Sequence, residues 1–288
     1  MNRLRLMMKA FITISRGAAV VLLLILSGCG RRGDPVIMSY EEYRTLEICS
    51  PYPLQLTAGR GELFYFGVEH TACPSHPQLI QLEQAWSAFH PDIAFSEGGV
   101  WPLTPNRDEA ISNFGEGGLL RFLAHRDSVP IFSLEPSRIE EVLKLRREFE
   151  AEEIKIFYVL RQAVQYRRGH KEASLDDYTA EVLQELSQVI GLEDLPRNLV
   201  ELENSCHRHF PDLKDWRQAP AEWFDPTLDG SIMNRISRAV SLIRDVYMVK
   251  LLTEEVKQGR RVFAVVGYSH VVMQENALRQ GLGERERN

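Results

Sequence analysis

Cysteine is scarce in this chain: there are four in 288 residues, and no Cys-x-x-Cys pair occurs. That excludes a disulfide scaffold and gives no reason to assign a cysteine to a metal. A basic excess is lacking as well. With 34 Lys and Arg against 40 Asp and Glu, the formal charge is −6 at pH 7, so no nucleic-acid partner is expected. The apolar run Gly17 to Leu26 (GAAVVLLLIL) has ten residues, too short for a bilayer span of about 20. Internal repeats and low-complexity tracts are missing too. What is present, 44% hydrophobic and 26% charged residues, is ordinary globular composition with length for one large domain or two small ones.

The N-terminus reads as a targeting segment. Arg3, Arg5, Lys9 and Arg16 precede the apolar run, and Leu26-Ser27-Gly28-Cys29 follows it. This resembles the bacterial lipobox, in which small residues precede a cysteine that is lipidated and becomes the mature N-terminus. Residues 1–28 are therefore expected to be a signal peptide, and Cys29 the attachment point to the membrane. Arg31 and Arg32 follow at once, which disfavours an ordinary transmembrane anchor. Gly30 in place of aspartate implies, by the usual sorting rule, an outer-membrane lipoprotein facing the periplasm. Residues 29–58 read as tether and lead-in, because Asp34-Pro35 and Ser50-Pro51-Tyr52-Pro53 interrupt regular structure. Among Cys49, Cys73 and Cys206, two can pair in an oxidising periplasm, and the sequence does not choose between them.

From residue 59 to about 284 the pattern is that of an α/β domain. Strand-like runs at 62–67, 92–99, 129–136 and 260–270 alternate with helical stretches, as in βαβ units with a mostly parallel central sheet flanked by helices. The helix from about 108 to 125 contains Gly115, Gly117 and Gly118, and a break is expected there. Residues from about 137 to 230 form a helical insertion, with Ser174 and Asp177 marking one helix start. A long helix follows from about 231 to 258.

Each of the four strand-like runs ends in polar residues. They are Gly67-Val68-Glu69-His70, Ser96-Glu97-Gly98-Gly99, Glu135-Pro136 and Gly267-Tyr268-Ser269-His270. Ligands of open α/β sheets sit beyond the carboxyl ends of the strands, so two histidines and up to three glutamates are expected to converge. Imidazole with carboxylate suits a divalent zinc, manganese or iron ion, here held by His70, His270 and Glu69. The same groups can also act as acid and base without a metal. His76 and Tyr268 are secondary candidates. Glu135 is another, with helix capping as its structural alternative. Cys206, His207 and His209 form a tempting metal cluster, but they stand on a charged helix with no second half of a zinc motif nearby.

Paired Gly-x-x-His motifs with a strand-end glutamate between them are similar to those of the TraB/PrgY, Tiki, ChaN-like and erythromycin-esterase superfamily. Arg244-Asp245-x-x-Met248 in the long helix resembles the Arg-Asp-x-x-Met element of the esterase and ChaN-like branches. The chain departs from those branches at Val68, where glutamate is common. It departs from the TraB type at Ile243. The resemblance implies a hydrolase, metal-dependent or not, that activates water against a peptide or ester bond of a small-molecule or peptide substrate. His70 and His270 would be the motif histidines, and Glu97 the group that takes the proton from water. Arg244 would stabilise the oxyanion, with Asp245 as its polar partner; the structural alternative is an ion pair of the two that locks the long helix to the sheet. The ChaN-like branch implies an alternative, a non-catalytic lipoprotein that binds haem or iron.

Overall fold

The computed structural model describes residues 33–169, 174–194 and 196–284. The expected signal peptide and Cys29 lie outside the described residues. The chain divides into two compact units, Met1–Glu135 with Asp245–Asn288, and Pro136–Arg244.

The first unit is α/β. After a short helix α1 (Tyr40–Tyr43) come strands β1 (Tyr52–Ala58) and β2 (Gly61–Val68), and then helix α2 (Pro77–Phe89). Strand β3 (Ile93–Ser96), helix α3 (Arg107–Arg126) and strand β4 (Ile131–Ser133) follow. The sheet order is β1-β2-β5-β3-β4, where β5 (Arg261–Gly267) enters last and lies between β2 and β3. All pairings are parallel except β1 with β2.

Alternation along the strands sends side chains to opposite faces. Phe66, Val68, Ala94, Phe263 and Val265 pack with Leu82 and Trp86 of α2 and with Leu119 and Leu123 of α3. Leu63, Tyr65, Phe95, Val262 and Ala264 form the other face. That face packs on Met248 to Val256 of helix α8 (Ile232–Lys257) and on helix α9 (Tyr268–Leu282). Both faces of the central strands are covered, which is why β5 reads as the unbroken apolar run Val262 to Val266.

Strand β1 corrects the sequence reading, which placed Tyr52–Ala58 in a lead-in without regular structure. Leu54 and Leu56 point into the core while Gln55 and Thr57 face solvent, the alternation of an edge strand. Pro53 is tolerated because β1 pairs on one side only. The break expected in α3 is present, with Gly115 at φ 59° and ψ −145°.

The second unit is helical. It contains α4 (Arg138–Leu145), α5 (Ala151–Gly169), α6 (Leu175–Leu186), α7 (Leu199–His209) and the first part of α8. Ser137, Ser174 and Asn198 cap α4, α6 and α7, each accepting a backbone N–H three residues on. Its own core centres on Phe157, Leu160, Leu183, Leu202, Trp216 and Ile236.

Candidate functional site

The parallel register places Val68 beside Gly267, and Ser96 beside Val265. The ends of β2 and β3 therefore flank the carboxyl end of β5, and the residues just beyond them meet there. Gly267 is the last residue of β5 and also the N-cap of α9. His270 consequently lies in the first turn of that helix, where its side chain can reach back over the strand end.

His270 is held on both sides. Its Nδ1 is 2.5 Å from Asp245 Oδ1, and its Nε2 is 3.5 Å from Glu97 Oε1. Burial alone would favour the neutral imidazole. The Asp245 and Glu97 charges outweigh it and hold the His270 pKa up at about 10, so the ring is an imidazolium at neutral pH. Behind Asp245 lies a fully buried relay. Gln274 Nε2 donates to Asp245 Oδ1 at 2.7 Å, and Tyr65 OH donates to Gln274 Oε1 at 3.0 Å. Met248 Sδ is 3.3 Å from the same Gln274 nitrogen. Asp245 and Met248 of the Arg-Asp-x-x-Met element thus share a helix face and a partner. The second oxygen, Asp245 Oδ2, is buried and has no hydrogen bond among the described residues.

Glu97 follows β3 directly. Its Oε2 accepts the Gly267 backbone N–H at 2.7 Å. A Cβ on Gly267 would stand 3.2 Å from His70 Nε2 and 3.6 Å from Glu97 Oε2. His70 and Glu97 therefore face one point at the end of β5.

His70 is the exposed member, with 66% of its side chain accessible. Its Nδ1 lies 2.5 Å from Glu116 Oε1, and that hydrogen bond is the main reason its pKa is raised. Glu116 follows the break at Gly115 in α3. A Cβ on Gly115 would come within 2.9 Å of Thr71 O, so a side chain there would push α3 away from the loop that carries His70. Sequence reasoning missed Glu116. The signal was its setting, Gly-Glu-Gly-Gly in the middle of a helix.

These groups line a cleft of about 180 Å³. His70, Glu97 and Glu116 form its polar side, and Trp101 and Phe114 its aromatic wall, stacked at 5.4 Å between ring centroids. Gly117 lets that wall approach, since a Cβ there would collide with Trp101 Nε1.

Other candidates fall elsewhere. Among the described residues the Glu69 carboxylate has no hydrogen-bond or ion-pair partner, and its backbone N–H donates to Gln78 Oε1 at 3.0 Å. Glu135 does not cap α4, a role taken by Ser137. Its Oε1 accepts the Gly98 N–H at 3.2 Å and so steadies the loop after Glu97. His76 is the N-cap residue of α2, with its Nδ1 buried and without a hydrogen bond among the described residues. The Tyr268 side chain is hydrogen-bonded with Tyr43, and burial together with that bond pushes the Tyr43 pKa up to about 12. Arg244 closes the helical unit. In that unit Cys206 is buried, which pushes its thiol up to about 12, and His209 sits 3.2 Å from Glu152. His207 is turned to the Lys214 carbonyl, so the three do not converge. Among the described residues Cys49, Cys73 and Cys206 are free thiols.

By chemistry the donors suit a divalent ion, because each imidazole has its Nδ1 held by a carboxylate and its Nε2 turned the other way. By placement they do not. Among the described residues no three His, Cys, Asp or Glu side chains are arranged to hold a metal ion. What the arrangement offers directly is a carboxylate between two imidazoles of raised pKa. Compared with known proteins, the chain matches no family model, no curated protein and no solved structure.

Proposed function

We propose that this chain is a lipid-anchored periplasmic hydrolase, related to the TraB/PrgY, Tiki, ChaN-like and erythromycin-esterase superfamily, that cleaves a peptide or ester bond. One observation carries the reading: His70 Nε2 and Glu97 Oε2 both face the end of β5 at Gly267, beside a buried His270 imidazolium. Glu97 takes a proton from water as the water oxygen attacks the carbonyl carbon. His70, whose pKa is raised by its hydrogen bond with Glu116, gives a proton from its imidazolium form to the departing alkoxide or amine. His270 moves no proton, because Asp245 and Glu97 hold its charge; it supplies a fixed positive charge beside the developing oxyanion. Glu97 then returns its proton to His70 through solvent.

The cleft sets the scale of the substrate. About 180 Å³ is below the roughly 300–1,000 Å³ of most ligand pockets. It suits one compact group laid against Trp101 and Phe114 better than a macrocycle or a haem.

Turnover of a panel of p-nitrophenyl esters and short peptide p-nitroanilides by the mature chain tests the proposal. His70→Ala and Glu97→Gln are expected to lower kcat by about 10²–10⁴-fold, the usual worth of a general acid or base, with the fold retained. Full rates in both variants would remove the site assignment. No turnover, together with a Soret band on adding haem, would replace the enzyme by the haem-binding alternative. Exhaustive chelation decides the part of a metal. Persistent activity supports the acid–base route, whereas loss that zinc, manganese or iron(II) restores assigns the ion.

A further inference from the structure

The aromatic wall of the cleft is built around Trp101. Just after β3, Gly98 and Gly99 take φ values of 73° and 101°, a turn that a side chain would strain. Pro102 then disfavours helical backbone at the residue before it, Trp101. The indole is seated between two glycines. A Cβ on Gly98 would stand 3.1 Å from its Cζ2, and one on Gly117 would collide with its Nε1. Phe114 stacks on the indole with an interplanar angle of 22°. Backbone, glycines and stacking together fix which face of the ring the cleft sees.

The Trp101 Nε1–H makes no hydrogen bond among the described residues. Trp86, the other tryptophan of the α/β unit, donates its Nε1–H to Asp127 Oδ2 at 2.7 Å. An indole nitrogen is a donor only, and it ordinarily finds an acceptor where the ring is packed. The Cβ that would collide with Trp101 Nε1 would also lie 3.2 Å from Ser96 Oγ. The indole N–H therefore sits by the end of β3, near the residue that precedes Glu97. The charged side chains that line the cleft are matched already. His70 is 2.5 Å from Glu116, and His270 is 3.5 Å from Glu97. An ionic group entering there would be repelled by one member of each pair. What the wall offers a ligand is a flat apolar face with one hydrogen-bond donor at its edge.

We propose that Trp101 determines the specificity of the cleft: its indole face receives an uncharged planar ring of the substrate, and its Nε1–H donates to an acceptor atom on the rim of that ring. Calling the ligand a substrate rests on the hydrolase reading, whereas the recognition itself is measured as binding.

Binding of neutral carboxamides to the full chain tests it. The probes are cyclohexanecarboxamide, benzamide and the three isomeric pyridinecarboxamides, which place a ring acceptor at successive positions. Calorimetry gives each Kd. The Trp101 Nε1–H NMR signal, assigned by its loss in Trp101→Phe, reports the hydrogen bond. Benzamide is expected to bind about threefold to tenfold more tightly than cyclohexanecarboxamide, the usual worth of one aromatic contact. At least one pyridinecarboxamide gains about the same factor over benzamide, the worth of one hydrogen bond, and moves the Nε1–H signal downfield. Trp101→Phe keeps a flat face without the donor, so it binds benzamide as the wild type does and loses the pyridine preference. Trp101→Leu loses both preferences. A wild type that lacks either preference overturns the proposal, as do preferences that survive in Trp101→Leu. Both preferences in a chain that turns over no ester or anilide would remove the hydrolase reading alone. Turnover without them would remove the role of Trp101 alone.

Discussion

A Cβ on Gly67 would lie 2.8 Å from Tyr268 Cα, 2.9 Å from Tyr52 O and 2.9 Å from Val271 Cγ2. Two of those three atoms belong to backbone and cannot rotate away. At Gly267, the other motif glycine, the nearest atoms are ends of side chains, His70 Nε2 and Glu97 Oε2. One residue type therefore opens both Gly-x-x-His motifs for different reasons. Gly67 lets β2 pass under the start of α9 and beside β1, whereas Gly267 leaves room for the reacting groups. Gly67→Ala is expected to destabilise the fold by about 1–3 kcal/mol, the usual cost of overpacking. Gly267→Ala, at an ordinary φ of −54°, is expected to cost little stability yet to lower turnover by displacing His70. Denaturation midpoints and kcat measured on both variants check this, and equal stability losses would contradict it.

At the scale of elements, the break in α3 sets the state of His70. Gly115 adopts a φ of 59°, in the left-handed region where a side chain is strained, and the turn delivers Glu116 to the imidazole. Glu116 raises the His70 pKa, and the acid form of His70 is the one assigned to the reaction. Removing that charge lets the pKa fall back toward 6.5. In Glu116→Gln the alkaline limb of the kcat/KM profile should therefore move to lower pH, and Gly115→Ala should shift it the same way while also costing stability. An unmoved limb in Glu116→Gln would take His70 out of the proton transfer. The glycine cluster made the break legible in the sequence. That the glutamate inside it reaches a histidine 46 residues earlier was not, because such a contact follows from how the helix packs on the sheet. Strand β1 was misread for a related reason. Its alternating Leu54 and Leu56 and its Pro53 give opposed local signals, and only its place at the sheet edge reconciles them.

For the whole molecule, the α/β architecture was legible because buried parallel strands write themselves as short apolar runs between helices. The strand ends named His70, Glu97 and His270, but the relay behind Asp245 left no local trace. Gln274 and Tyr65 are ordinary helix and strand residues until packing brings them together. That buried cluster couples the stability of the fold to pH. His270 has a folded pKa of about 10, against about 6.5 in an unfolded chain. A raised pKa means that the folded state holds the proton more tightly. The stabilisation is therefore complete below pH 6.5 and is lost as pH rises through about 10. Its size is on the order of a few kcal/mol. His270→Gln leaves Asp245 and Glu97 without their cation at every pH, and all other titrating groups remain in both proteins. The difference in urea midpoint between wild type and His270→Gln should therefore be largest near pH 6 and close steadily toward pH 10.5. A difference that stays constant across that range would show that His270 contributes by packing and not by its charge.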